Sequence, residues 1–197
     1  MDQVSVDSDV LEFLKALYFG AYTNPYEAAS RRAYRDMNRT IRFGNLEVTA
    51  RETVRKIIDG LLETEIISIT QKKQTQMEYD NWHQILSTKI IAEYDKRGIH
   101  FTYGQAQKWI NMTLKYLYVL CPDKVKDTFN YLHIPLDNYI FNVAQKEFDI
   151  KYPTKPWSRW ESYDDYMEYQ KAIRSNLNGI APLRWEFIFW LKEARNR

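Results

Sequence analysis

The feature that most constrains this chain is its helix punctuation. Thr102-Tyr103-Gly104-Gln105 has the form of a capping box. In such a box the threonine hydroxyl accepts from the amide three residues on, and the glutamine side chain returns to the threonine amide. Behind it Ala106, Trp109, Ile110, Thr113, Leu114 and Leu117 recur at helical spacing. The same logic runs along the whole chain. A helix is predicted from Asp7 or Asp9 to about Gly20, with Leu11, Leu14 and Leu17-Tyr18 on its apolar side. A second runs from Pro25 or Tyr26 through Met37. A box at Thr49 and Glu52 opens a third through Val54, Ile57, Ile58, Leu61 and Leu62, in which Gly60 predicts a close contact or a break. The run Ile66-Ile67-Ser68-Ile69 is β-prone but too short and isolated to imply a sheet, and residues 71–76 read as a polar loop. Asp80 is expected to cap the next helix, which ends at Lys96-Arg97-Gly98. Pro122 and Pro135 suit the first turns of two short helices, a Ser158/Glu161 box precedes Tyr163, and Pro182 starts a last helix after Gly179. The expectation is an all-α fold of about eight helices in one compact domain over 1–197, with lobe breaks near 43–48 and 151–157 if it divides.

Composition removes whole classes. With 197 residues, 45% hydrophobic and 27% charged, the chain is not disordered at large. Its single cysteine, Cys121, makes no internal disulfide. Met1-Asp2-Gln3 is polar and acidic, without the basic region and apolar run of a signal peptide. No apolar run approaches the roughly 20 residues that span a bilayer. A soluble, cytoplasmic protein with no membrane role is the default expectation. His83, His100 and His133 are far apart and accompany no metal-binding spacing, so neither a metal nor a cofactor is expected. Phosphate-loop and nucleophile-elbow motifs are absent as well.

Charge is uneven. The net charge is +2, yet between Arg31 and Lys56 eight basic residues face three acidic ones. Arg31, Arg35, Arg39 and Arg42 follow three- and four-residue steps, with Arg32 beside them, and share a face if the helix persists that far. Such a stripe can contact successive phosphates of DNA. The other reading is a solvated face whose arginines pair with acids elsewhere.

A second signal lies between Gly98 and Ala144. Lys108, Asn111, Thr113 and Lys115 are the polar members of the helix opened at Thr102, and they are spread around it. Downstream, Asp137 falls in the first turn of another helix, where backbone amides favour a carboxylate. A lysine and such an aspartate in one cleft form an amine nucleophile with an acid/base partner.

Gly104-Gln105-Ala106-Gln107-Lys108, followed by Ile134-Pro135-Leu136-Asp137-Asn138-Tyr139-Ile140 and Val143-Ala144, resembles the core of the helix-hairpin-helix DNA glycosylases, particularly the 8-oxoguanine branch. In that family a lysine follows the hairpin glycine and a Pro-x-Asp opens a later helix. The resemblance covers about a quarter of the chain and implies a helix-hairpin-helix element near residues 82–119. It implies that Lys108 attacks the sugar C1′, that Asp137 activates it and stabilises charge, and that Gly104, with Gln105 beside it, holds a DNA phosphate. Tyr103 and Gln105 flank Gly104 where the family has another glycine, and the stretch from Lys108 to Asp137 is longer than usual.

Aromatic residues read two ways. Trp157, Trp160 and Trp185, near Arg159 and Arg184, offer platforms for a flipped base. The wide apolar face of the last helix reads instead as core or as a contact with a protein partner or a second copy. Two functions follow. One is a glycosylase and abasic-site lyase acting on damaged DNA, its substrate an oxidised purine. The alternative is a non-enzymatic helical protein that binds nucleic acid or a protein partner.

Overall fold

In a computed structural model, residues 7–195 form eight α-helices, and no strand occurs among these described residues. The polar start Met1-Asp2-Gln3 lies outside them. The helices are α1 (Ser8–Phe19), α2 (Pro25–Met37), α3 (Val48–Thr70), α4 (Gln76–Asp95), α5 (Tyr103–Leu120), α6 (Asn138–Phe148), α7 (Tyr163–Arg174) and α8 (Pro182–Arg195). Among the described residues no helix is long and apolar enough to cross a membrane.

The caps explain most of the boundaries. Thr102 and Gln105 form the reciprocal box, with bonds of 2.9 and 3.1 Å. Asn24 accepts from the Tyr26 and Glu27 amides with Pro25 as the first helical residue. Asp137 accepts from the Tyr139 and Ile140 amides at 2.9 and 3.0 Å.

Other starts differ from the sequence expectation, each for a visible reason. Thr49 lies inside α3, which begins at Val48, so its hydroxyl caps nothing; Arg51 closes the preceding turn by donating to the Leu46 carbonyl at 2.7 Å. The cap of α4 is a Thr75/Glu78 box within the stretch read as a loop, and Asp80 sits one turn inside the helix. Ser158 and Glu161 do not form a box: Ser158 belongs to a 3₁₀ turn, Glu161 meets His100 at 2.9 Å, and Ser162 caps α7. Residues 122–132 hold two 3₁₀ turns rather than a helix, and Pro135 precedes α6 in extended chain instead of opening it. The β-prone residues 66–69 finish α3, because burial of Ile66 and Ile69 against neighbouring helices overrides local propensity. Gly60 neither breaks α3 nor packs closely, since nothing lies within 4 Å of where its β-carbon would be.

At the centre stands α5. Residues 101–117 are buried without interruption, which makes α5 a core helix rather than a one-faced surface helix. It packs against α2, α4 and the 157–159 turn, while α3 lies against α2 and α4, and α6 against α8. One hydrophobic cluster takes members from all eight helices, from Phe19 through Trp109 to Trp185, and so runs across both breaks in the chain. Residues 82–119 are the body of α4, a connection over 96–102, and α5.

Candidate functional site

One face of α5 opens onto a cleft of about 940 Å³ walled by α1, α2, α8, the start of α6 and Trp157. Lys108 and Asp137 meet there. Their contact is 2.7 Å, with the side chains only 7% and 18% exposed. Asp137 divides its oxygens: Oδ1 caps α6, and Oδ2 accepts from Lys108 Nζ. Burial alone would raise its pKa, but the Lys108 charge and hydrogen bond and the Ile140 amide outweigh burial and hold the carboxyl below its ordinary range. The Lys108 amine also lies 5.9 Å from the centre of the Trp157 ring.

Seven residues further along α5, Lys115 forms a second pair with Glu186 at 2.7 Å. Lys115 Nζ lies 5.0 Å from the centre of Phe187 and 5.4 Å from that of Trp190. Glu186 is nearly inaccessible, and its Oε2 has no hydrogen-bond partner among the described residues. Burial pushes this carboxyl above its ordinary range, against the pull of Lys115. Sequence reasoning passed over this pair. The available signals were the two-turn spacing of Lys108 and Lys115 and the lone acid within the aromatic run 185–190.

The arginines separate. Arg32, Arg35 and Arg39 line the cleft. Arg32 pairs with Asp36 at 3.4 Å and lies over Tyr18, whereas Arg35 and Arg39 are exposed and form no ion pair among the described residues. Arg31 turns away: with Arg35 it borders a smaller depression of about 290 Å³ shared with Arg51 and Arg55. Arg42 leaves the stripe, because α2 stops at Met37, a 3₁₀ turn follows, and Ile41 is extended.

Gly104 and Gln105 are committed to the fold. The Gly104 amide donates to the Trp160 carbonyl at 2.8 Å, and a β-carbon at this position would stand 1.7 Å from the Trp157 carbonyl oxygen. Glycine is therefore required for close approach of two backbones, and its amide is already occupied. Gln105 completes its cap and donates to Thr40 at 2.8 Å. Of the three tryptophans, Trp157 borders the cleft. Trp160 stacks on Phe141 and Trp185 on Phe148 and Phe189, both buried, so these two rings serve the core.

Two distant histidines do meet, in a buried network. The His83 and His133 rings lie 4.6 Å apart. His133 Nε2 bonds Asp80 at 2.7 Å and its Nδ1 faces the Tyr166 hydroxyl at 2.8 Å; His83 bonds Asn111 Oδ1 and the Tyr103 hydroxyl, both at 3.1 Å. Neutral rings with the proton on Nε2 satisfy every one of these contacts. His100 is apart, on the surface. No group of three or more His, Cys, Asp or Glu among the described residues is arranged to hold a metal ion.

The fold and the cleft define a class by architecture: an all-α protein whose central helix presents two lysine–carboxylate pairs to one aromatic, arginine-rimmed cavity. Comparison with family models, with curated proteins and with solved structures returns no match.

Proposed function

We propose that the protein excises a damaged base from DNA, an oxidised purine in the reading favoured by its sequence, and cleaves the strand at the resulting abasic site. The observation that carries this reading is the meeting of Lys108 and Asp137 in the cleft, 29 residues apart in sequence and 2.7 Å apart in space. Arg35 and Arg39 supply unpaired positive charge at the rim for backbone phosphates, and Trp157 supplies an aromatic face beside the amine.

The chemistry assigns each group a step. Lys108 first loses a proton, for which Asp137 is the adjacent acceptor. The neutral amine forms a bond to C1′ as the bond to the base breaks, and the base leaves with the electron pair and takes up a proton. Asp137 passes the proton it took from Lys108 to the departing base; ionised again and held by two amides, it stabilises the positive charge at the sugar and on the bound amine. Opening of the sugar ring gives an iminium between Lys108 and C1′. Loss of a C2′ proton then expels the 3′ phosphate.

Borohydride reduces such an iminium to a stable amine, so it tests the reading. The full chain incubated with duplexes carrying 8-oxoguanine or an abasic site is expected to give a covalent adduct. Lys108→Ala is expected to lower its yield at least 100-fold while remaining folded by circular dichroism. No adduct from the wild-type chain on either duplex overturns the proposal.

One observation favours a second reading, a non-enzymatic binding protein. Helix α1 leaves Val10, Leu11, Phe13, Leu14 and Leu17 exposed, and Ile188 and Leu191 of α8 are exposed too. Leu11, Leu14 and Leu191 also line the cleft, so this apolar surface continues its wall. Retardation of DNA without trapping, or self-association without either, is the outcome that this reading expects.

A further inference from the structure

The Lys115 end of the cleft has a chemistry of its own. Lys115 stands two helical turns beyond Lys108, about 10 Å along the axis. Its amine carries three donors and gives one to Glu186 Oε1 at 2.7 Å. The other carboxylate oxygen, Oε2, is buried and has no partner among the described residues. A core atom left in that condition is ordinarily satisfied by protein or water; Glu186 instead lines a large cavity. Its terminal torsion is broad, so a modest rotation brings a carboxylate oxygen toward a donor in the cleft without leaving its rotamer. Phe187 and Trp190 line the same end.

We propose that Lys115, Glu186, Phe187 and Trp190 form a recognition subsite for a flat, uncharged heteroaromatic lactam, a ring that presents an N–H beside a C=O. The ring N–H donates to Glu186 Oε2, the carbonyl accepts from Lys115 Nζ, and the two aromatic side chains cover the ring faces. Charge selects this class. An anionic ligand meets the Glu186 carboxylate and a cationic one meets the Lys115 ammonium, whereas a neutral ring with one donor and one acceptor satisfies both. A site built in this way rejects a ring of the same shape that lacks the pair, because its buried polar groups are then left unmatched. The subsite deepens the base-excision reading, on which it rests for its natural substrate: it is where the extruded base would sit while Lys108 faces the sugar.

Hypoxanthine carries the N–H/C=O pair, and purine is the same bicyclic ring without it. Calorimetric titration of the full wild-type chain is expected to show hypoxanthine binding at least tenfold more tightly than purine. The double variant Lys115→Met/Glu186→Leu removes both charges together, which leaves neither one buried alone and preserves folding. It is expected to bind the two rings equally. It is also expected to lose at least tenfold in trapping on 8-oxoguanine DNA. Equal binding of the two rings by the wild type, or no hypoxanthine binding, overturns the subsite whatever the trapping assay gives. Failure to trap any DNA, with the hypoxanthine preference intact, removes the base-excision reading and leaves the subsite standing.

Discussion

Two polar clusters are built on adjacent faces of α5, about a quarter-turn apart, and they differ in how completely they are satisfied. The His83–His133 network is closed around its two rings, and the atom it leaves unmatched lies at its edge, Arg174 Nε. Asn111 accepts from His83 and donates among Gln107, Tyr166 and the Ile134 carbonyl; Gln107 exchanges bonds with the Leu136 backbone; and Asp80 takes His133, Gln76 and Arg174. None of His83, Asn111, Gln107, His133 or Tyr166 lines the cleft or the smaller depression. The Lys108–Lys115 side is open. Its ion pairs border a cavity, and among the described residues Glu186 Oε2 lacks a partner and Arg35 and Arg39 have no acid. A buried polar network with every member matched makes a fold unique and rigid, whereas unmatched groups around a cavity cost stability unless a ligand completes them. The first cluster is therefore read as architecture and the second as a site. The two are linked, because Gln107 grips the backbone next to Asp137 and so holds it opposite Lys108.

The largest effect expected from this contrast is on stability. Asn111→Leu keeps the branched shape but strands the His83 N–H, which donates to Asn111 Oδ1, and removes one bond each from Gln107 Oε1 and the Tyr166 hydroxyl; it is expected to cost about 1–3 kcal/mol. The paired cleft variant Lys115→Met/Glu186→Leu is expected to unfold within about 1 kcal/mol of the wild type or above it, because a buried ion pair replaced as a unit is often neutral or stabilising. Urea unfolding at neutral pH measures both. A cost below about 1 kcal/mol for Asn111→Leu, or a larger one for the cleft pair, breaks the distinction.

How much of this was legible in the sequence depends on the range of the contacts. Helix number and fold class were, because Thr102 with Gln105, Asn24-Pro25 and Gly98 act within a few residues. The Thr49 box misled because α3 begins one residue earlier, at Val48; the Ser158 box misled because its groups had distant alternatives, Glu161 taking His100 and the Ser158 carbonyl accepting from Thr102. Lys108 and Asp137 were paired through a family resemblance rather than through periodicity. Lys115 with Glu186 spans 71 residues, and His83 with His133 spans 50; no local pattern announces either. Gly104 was legible as a special position but not in its role. Only the fold shows the Trp157 backbone against it.

An intermediate effect comes from pH, with the signs set separately on the two sides. Burial lowers the folded-state values of both His83 and His133 below 6.5, against the pull of Asp80. Below about pH 6.5 the unfolded chain takes up protons that the folded network does not. Stability therefore falls with decreasing pH, by up to about 1.4 kcal/mol per pH unit for each histidine. Asp137 acts in the same direction but later: its stabilisation is complete above about pH 4 and is lost as pH falls through its lowered folded value. Glu186, raised by burial, acts oppositely, and stability falls as pH rises from about 4.3 through its folded value. Thermal unfolding between pH 8 and pH 5 is expected to show a falling Tm, and Lys115→Met/Glu186→Leu is expected to leave the part that begins near pH 6.5 in place. A Tm independent of pH over this range removes the neutral-histidine network from the comparison.

The smallest stability change and the most specific functional one belong to the cleft rim. Arg35 and Arg39 are exposed and unpaired, so Arg35→Gln and Arg39→Gln are each expected to change stability by no more than about 0.5 kcal/mol. If each contacts one phosphate, the double variant weakens duplex binding similarly for every sequence and lowers the slope of log K against log salt by about 2. Arg42 is as exposed but lies outside the cleft, so Arg42→Gln is expected to leave that slope unchanged. The three arginines thus separate a strand that enters the cleft from charge spread along a surface. Equal losses at all three positions would assign DNA binding to the basic surface as a whole and detach it from the Lys108–Asp137 pair. A loss confined to Arg35 and Arg39 ties the backbone of the nucleic acid to the rim of the same cavity that holds the amine.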